Sequence, residues 1–161
     1  MSTMYSAFGA VVEPTSCSKD TPRSLKRRSE ALETLERMTF AVANAVNTRD
    51  FDPKSSAWSS VAPDTILSTM SGQEFGIRGL LRHLEQVTST TPSYHIEFVD
   101  LYTTMNSTLD RGEVFARAEK FGDPPGVVKK GLFQIEYRLL EGEWKWVKQT
   151  SFAAGEMVAW E

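Results

Sequence analysis

The sequence holds one cysteine, Cys17, so no disulfide can form within the chain, and a reducing compartment is expected. Cys17 lies in a Ser/Thr/Pro-rich stretch ahead of any regular pattern, where a thiol is incidental rather than nucleophilic. Histidine is nearly as scarce. His83 and His95 are the two present, too sparsely placed for a zinc site, and no metal is expected. No uncharged apolar run approaches the length needed to span a bilayer. The short apolar stretch 7–12 has no basic segment before it, which argues against a secretory leader and makes cytoplasmic the expected location. Positive charge is not in excess. Eighteen Lys and Arg against 21 Asp and Glu give a net charge of −3, a poor match to a nucleic-acid backbone. Neither a glycine-rich phosphate loop nor a dinucleotide fingerprint occurs, so no cofactor is expected.

What remains is an ordinary globular composition, 40% hydrophobic and 24% charged, in 161 residues: enough for one domain with a real core. Residues 1–20 lack any period and are expected to be a flexible tail, followed by a single domain over 21–161. Thr21-Pro22 is a helix start, with a capping hydroxyl and then proline in the first turn. The basic cluster 23–28 fits the solvated first turns of that helix better than a nuclear signal. Leu32, Leu35, Met38, Val42, Ala45 and Val46 recur at three- and four-residue spacing, predicting a helix to about residue 48. The small run 41–46 lets that helix lie close to a sheet or leave room for a ligand. A second short helix is predicted over 51–58, a short strand over 65–69 and a third helix over 73–87, with 88–93 a loop. Four long strands then follow at 94–105, 112–121, 127–140 and 143–152. They are separated by turn signals such as Asp123-Pro124-Pro125-Gly126 and Glu141-Gly142-Glu143, which makes an antiparallel meander. The tail 153–161 is weakly patterned, and its Met157, Val158 and Trp160 are candidates to cover a pocket mouth or a partner. No internal repeat is present.

Three segments carry a resemblance. One is Asn47-Thr48-Arg49-Asp50-Phe51 with Trp58 and Pro63-Asp64-Thr65-Ile66-Leu67. Another is Gly76-Ile77-Arg78-Gly79-Leu80-Leu81. The last is the hairpin Ile135-Glu136-Tyr137-Arg138-Leu139 with Glu141-Gly142-Glu143-Trp144-Lys145-Trp146. Over about residues 32–152 the chain resembles the nuclear-transport-factor-2-like cone, and within it the SnoaL-like group of polyketide cyclases and ketosteroid isomerases. The resemblance implies an α+β fold: N-terminal helices packed on a strongly curved, mainly antiparallel sheet that encloses an apolar pocket. It implies proton transfer by a few polar side chains without metal or cofactor, and pairing into a homodimer. The fold hosts many chemistries and many non-enzymes, so activity has to be argued from the site.

Glu136 is the sharpest catalytic candidate, because the isomerases place a pocket carboxyl in a run of Ile, acid and large residue that Ile135-Glu136-Tyr137 matches. Two registers are open. In one, Glu136 faces the pocket with a raised pKa. In the other, Phe133, Ile135, Tyr137 and Leu139 form the inner face and Glu136 points out. Asp100 shares an alternating row with Ile96, Phe98, Tyr102 and Thr104, where an acid is costly unless functional. The alternative row puts Val99 and Leu101 inward. His95 opens the same strand and suits acid–base work or a rim hydrogen bond. His83 is expected on an exposed or half-buried helical position. Trp58, Tyr102, Tyr137 and Asn44 are candidate substrate contacts, the tyrosines as oxyanion donors or simply as core. The isomerases' tyrosine donor falls at Ala43 here and their strand acid near Ser68 or Thr69, which departs from ketosteroid isomerase chemistry. The expectation is a cofactor-independent isomerase, cyclase or dehydratase of secondary metabolism. Its substrate would be an apolar, polyketide- or terpenoid-like small molecule. The alternative is a non-catalytic ligand-binding or protein-interaction module.

Overall fold

The computed structural model describes residues 21–158, and side chains as far as 155. The expected tail over 1–20, Cys17, and the side chains of Met157, Val158 and Trp160 lie outside the described residues. The first helix, α1 (Pro22–Asn47), begins as expected: the Thr21 side chain accepts the Ser24 N–H at 3.3 Å, with Pro22 in the first turn. It ends where the Thr48 hydroxyl and N–H both donate to the Asn44 carbonyl. The predicted second helix is shorter, α2 (Ser56–Ser59). Asp50 and Asp52 explain this. Their carboxylates accept the N–H groups of Asp52 and Lys54, and such local bonds compete with helix.

Leu67–Ser68 (β1) and Glu74–Phe75 (β2) pair as a small antiparallel hairpin, so the next helix begins at Ile77 and not at residue 73. It runs on as α3 (Ile77–Thr90), three residues into the stretch 88–93 expected to be a loop. The meander follows: β3 (His95–Met105), β4 (Arg111–Phe121), β5 (Val127–Leu140) and β6 (Glu143–Val158). β1 joins β6 in parallel, giving a six-stranded sheet in the order β2-β1-β6-β5-β4-β3. Its register slips by one residue at Val99, Val147 and Ala154, bulges that bend their strands.

Alternation sorts the faces. Gly112, Val114, Ala116, Ala118 and Lys120 of β4 are all buried, as are Gly131, Phe133, Ile135 and Tyr137 of β5. These rows form the inner face under α1. Leu35 sits so close over Gly112 that a Cβ there would strike its side chain, and Met70 crowds Gly131 in the same way. Thr39 and Tyr137 share a buried hydrogen bond of 2.7 Å, and the Tyr137 ring meets Trp146 edge-on at 5.7 Å. Among the described residues no helix is long and apolar enough to cross a membrane.

Candidate active site

Toward its C-terminal half α1 presents Val42, Ala43 and Val46, and these small side chains leave a cavity against the sheet. α3 closes it with Leu80, His83 and Leu84, β3 with Ile96 and Phe98, and Trp58 forms a further wall. The cavity volume is about 80 Å³. Three polar groups enter from different elements: His83 from α3, Lys120 from the end of the inner row of β4, and Tyr94 from the turn before β3. Gln149 and Ser68 also line it. Their bonds are spent on each other's strands, since Gln149 Nε2 donates to the Ser68 carbonyl at 2.8 Å.

Burying an ammonium costs several kcal/mol unless it is paired. Lys120 is 7% exposed, and its Nζ lies 3.3 Å from Asp123 Oδ2 in the hairpin that follows. Tyr94 is 5% exposed. Burial pushes its phenol well above the ordinary value, the Asp123 charge adds to this, and Arg49 opposes it. The hydroxyl therefore stays protonated. Arg49 clamps the region together, donating to the carbonyls of Val46, Pro92 and Tyr94 at 2.8–3.0 Å. The His83 ring stacks on Phe75 at 4.9 Å between centroids, which fixes its plane. The ionisable content is thus one imidazole, one paired ammonium and one neutral phenol, beside the hydroxyls of Ser68, Thr69 and Ser71 and the Gln149 amide, in a mostly apolar chamber. Among the described residues no group of three His, Cys, Asp or Glu could hold a metal ion.

The acids expected from the sequence are elsewhere. Glu136 points to the outer face, since Ile135 and Tyr137 take the inner one, and its Oε1 lies 3.3 Å from Arg138 and 4.0 Å from Arg111. Asp100 is exposed opposite Arg117, and Tyr102 is 68% exposed beside Phe115. The bulge at Val99 is the reason: it shifts the alternation, so Ile96 and Phe98 face in but Asp100 and Tyr102 face out. His95 stacks on Phe121 at 4.3 Å and binds the Ser93 carbonyl, outside the cavity. Tyr137 lies in the core against Thr39, its phenol raised by burial and only partly lowered by that bond, and Asn44 is exposed. Of the seven expected site residues only Trp58 lines the chamber. The ionisable side chains that line it are His83, Lys120 and Tyr94. Lys120 had a legible signal, a lysine closing the period-two row Gly112, Val114, Ala116, Ala118. His83 follows Leu80 by three residues, on the apolar side of α3.

No protein-family model matches the chain, and no curated protein matches it in sequence. Solved structures match it in shape. A proposed scytalone dehydratase from Novosphingobium aromaticivorans superposes with a TM-score of 0.66 at 11% identity, over 88% of this chain and 93% of that one. A type 2 hexachlorocyclohexane dehydrochlorinase does so with 0.66 at 12%, over 86% and 93%. A proposed dehydratase of the NTF2-like family from Streptomyces avermitilis gives 0.62 at 15%, over 79% and 98%. At these identities the likeness is one of fold. The chain has the α+β nuclear-transport-factor-2-like fold, which other matching structures describe as cystatin-like.

Proposed function

We propose that the protein is a cofactor-independent small-molecule lyase or isomerase that removes a carbon-bound proton from an apolar substrate. The observation that carries this reading is the convergence of His83, Lys120 and Tyr94 on one mostly apolar cavity, with Lys120 paired to Asp123 beside it. His83 takes the proton as general base and returns it to another carbon of the product in an isomerisation, or to the leaving oxygen in an elimination, whose bond to carbon breaks as it departs as water. Lys120 stabilises the negative charge that develops on a substrate oxygen, an interaction strengthened where water is excluded. Tyr94, kept neutral by burial, donates a hydrogen bond to the same charge. The proposed dehydratase and the dehydrochlorinase that share its shape carry names that denote eliminations, which supports this class of reaction.

Membership of the SnoaL-like group, a polyketide- or terpenoid-like substrate of secondary metabolism and a cytosolic location belong to the same proposal. So does a homodimer, supported by Val99, Tyr102 and Phe152, each about half exposed or more. The test is solvent deuterium uptake into a panel of enolisable one- to four-ring ketones, read by mass spectrometry. Uptake is expected with at least one of them, and His83→Gln is expected to slow it by roughly 100-fold or more. Uptake unchanged in that variant, or no uptake across the panel, sinks the reading.

A further inference from the structure

Three ionisable side chains line the cavity, and each is held in a different way. Lys120 is paired with Asp123, and the Tyr94 carbonyl accepts from Arg49 at 2.8 Å. His83 is half-buried, and among the described residues neither of its ring nitrogens has a hydrogen-bond or ion-pair partner. What holds its ring is Phe75, stacked on it at 4.9 Å between centroids and 24° between planes. A working imidazole is ordinarily oriented by a bond to its second nitrogen, which also sets the tautomer. A stack does the orienting without occupying either nitrogen. It also tolerates both charge states, because the face of an aromatic ring attracts a cation.

Phe75 is itself anchored. It pairs with Leu67 across the β1–β2 hairpin, and Leu67 is 2% exposed in the core. The hairpin closes where the Thr69 N–H donates to the Gln73 carbonyl at 2.8 Å. From this base the Phe75 ring lies along α3. A Cβ on Gly79 would stand 3.4 Å from its Cδ1, and His83 follows one turn later on the same helix face. Phe75 does not line the cavity, whereas Ser68, Met70 and Ser71 of the same hairpin do. One hairpin thus supplies part of the cavity wall and the support of its imidazole.

We infer that Phe75 is the positioning residue of His83, holding the imidazole at the cavity wall so that it works without an orienting hydrogen bond. This rests on the proposed function for the role of His83. The test uses the full chain labelled with 13C and 15N, together with Phe75→Leu and Phe75→Tyr. In the wild-type protein the Phe75 face should displace the His83 ring protons upfield, and the three-bond couplings of His83 should report one χ1 rotamer. Phe75→Leu should average those couplings, while those of His95, bonded to the Ser93 carbonyl, stay as they are. In the same variant kcat for deuterium uptake should fall about tenfold with KM within about twofold, the pattern of lost orientation and not of lost binding. Phe75→Tyr should restore the rotamer and bring kcat to within about threefold of wild type. Undisplaced or averaged His83 signals in the wild-type protein, couplings or kcat unchanged in Phe75→Leu, or a Phe75→Tyr variant no better than Phe75→Leu would each overturn the inference. The wild-type signals keep the test valid if a variant fails to fold. The two proposals fail separately. Uptake that needs His83 but not Phe75 removes the positioning role alone. A His83 ring that loosens in Phe75→Leu, in a protein without uptake, removes the reaction alone.

Discussion

The inner face of the sheet is solid at one end and hollow at the other, although one helix roofs both. Over Gly112, Val114 and Tyr137, α1 presents Leu35 and Thr39, each 0% exposed, and the space is filled. Two turns on, over Phe133 and Lys120, it presents Ala43 and Val46, and the cavity opens. The difference is one of side-chain volume along a single straight element. A core and a site need no separate architecture when the roof is graded in this way.

The contrast breaks most visibly under truncation. Ile135→Ala, in the filled end, is expected to cost about 2–5 kcal/mol, because its packed neighbours cannot collapse into the space. Leu80→Ala, on the hollow wall, should cost less than half as much, both read by urea denaturation. Equal costs would mean that the two ends are packed alike. Adding volume should give the reverse: Ala43→Met fills space that is already empty, so stability should change by no more than about 1 kcal/mol. Deuterium uptake into the ketone panel should fall more than tenfold in the same variant.

Alkaline titration sharpens the comparison, since Tyr137 lies in the filled end and Tyr94 in the hollow one. Both phenols ionise later in the folded chain than at the ordinary value of 10.0, chiefly because burial disfavours the anion. Their contribution is therefore complete below about pH 10 and is lost as pH rises through it toward the folded values. Each tyrosine should add a slope of about 1.4 kcal/mol per pH unit above that point. Tyr137→Phe should remove one such slope and cost about 1 kcal/mol at neutral pH, with Thr39 still satisfied by the Leu35 carbonyl. The smallest effect is expected outside the face altogether. Glu136→Gln should leave deuterium uptake within twofold and stability within about 0.5 kcal/mol, because its arginine partners are solvated.

The order of elements and the meander were readable because long alternating strands and strong turn signals leave few other solutions. Helix ends were less so. The start of α3 depends on Glu74 and Phe75 pairing with β1, a contact that local patterning does not announce. The small run 41–46 did point to the hollow, and Trp58 to its wall. Asp100 stands out of phase with its expected row. A strand's alternation is read by counting, and β3 skips a count at Val99, so Asp100 and Tyr102 exchange sides with Leu101 and Thr103. At Glu136 the alternation itself was sound, with its apolar neighbours claiming the interior.

That skipped count makes β3 two strands spliced end to end in opposite phase, with Ile96 and Phe98 facing in before Val99 and Leu101, Thr103 and Met105 after it. Deleting Val99 would restore a single phase. Tyr102 and Asp100 would be driven toward Leu35 and Thr39, or else Ile96 and Phe98 would swing out of the cavity wall. One residue of chain length at this position therefore governs which of two side-chain sets the protein turns to its interior and which to its surroundings.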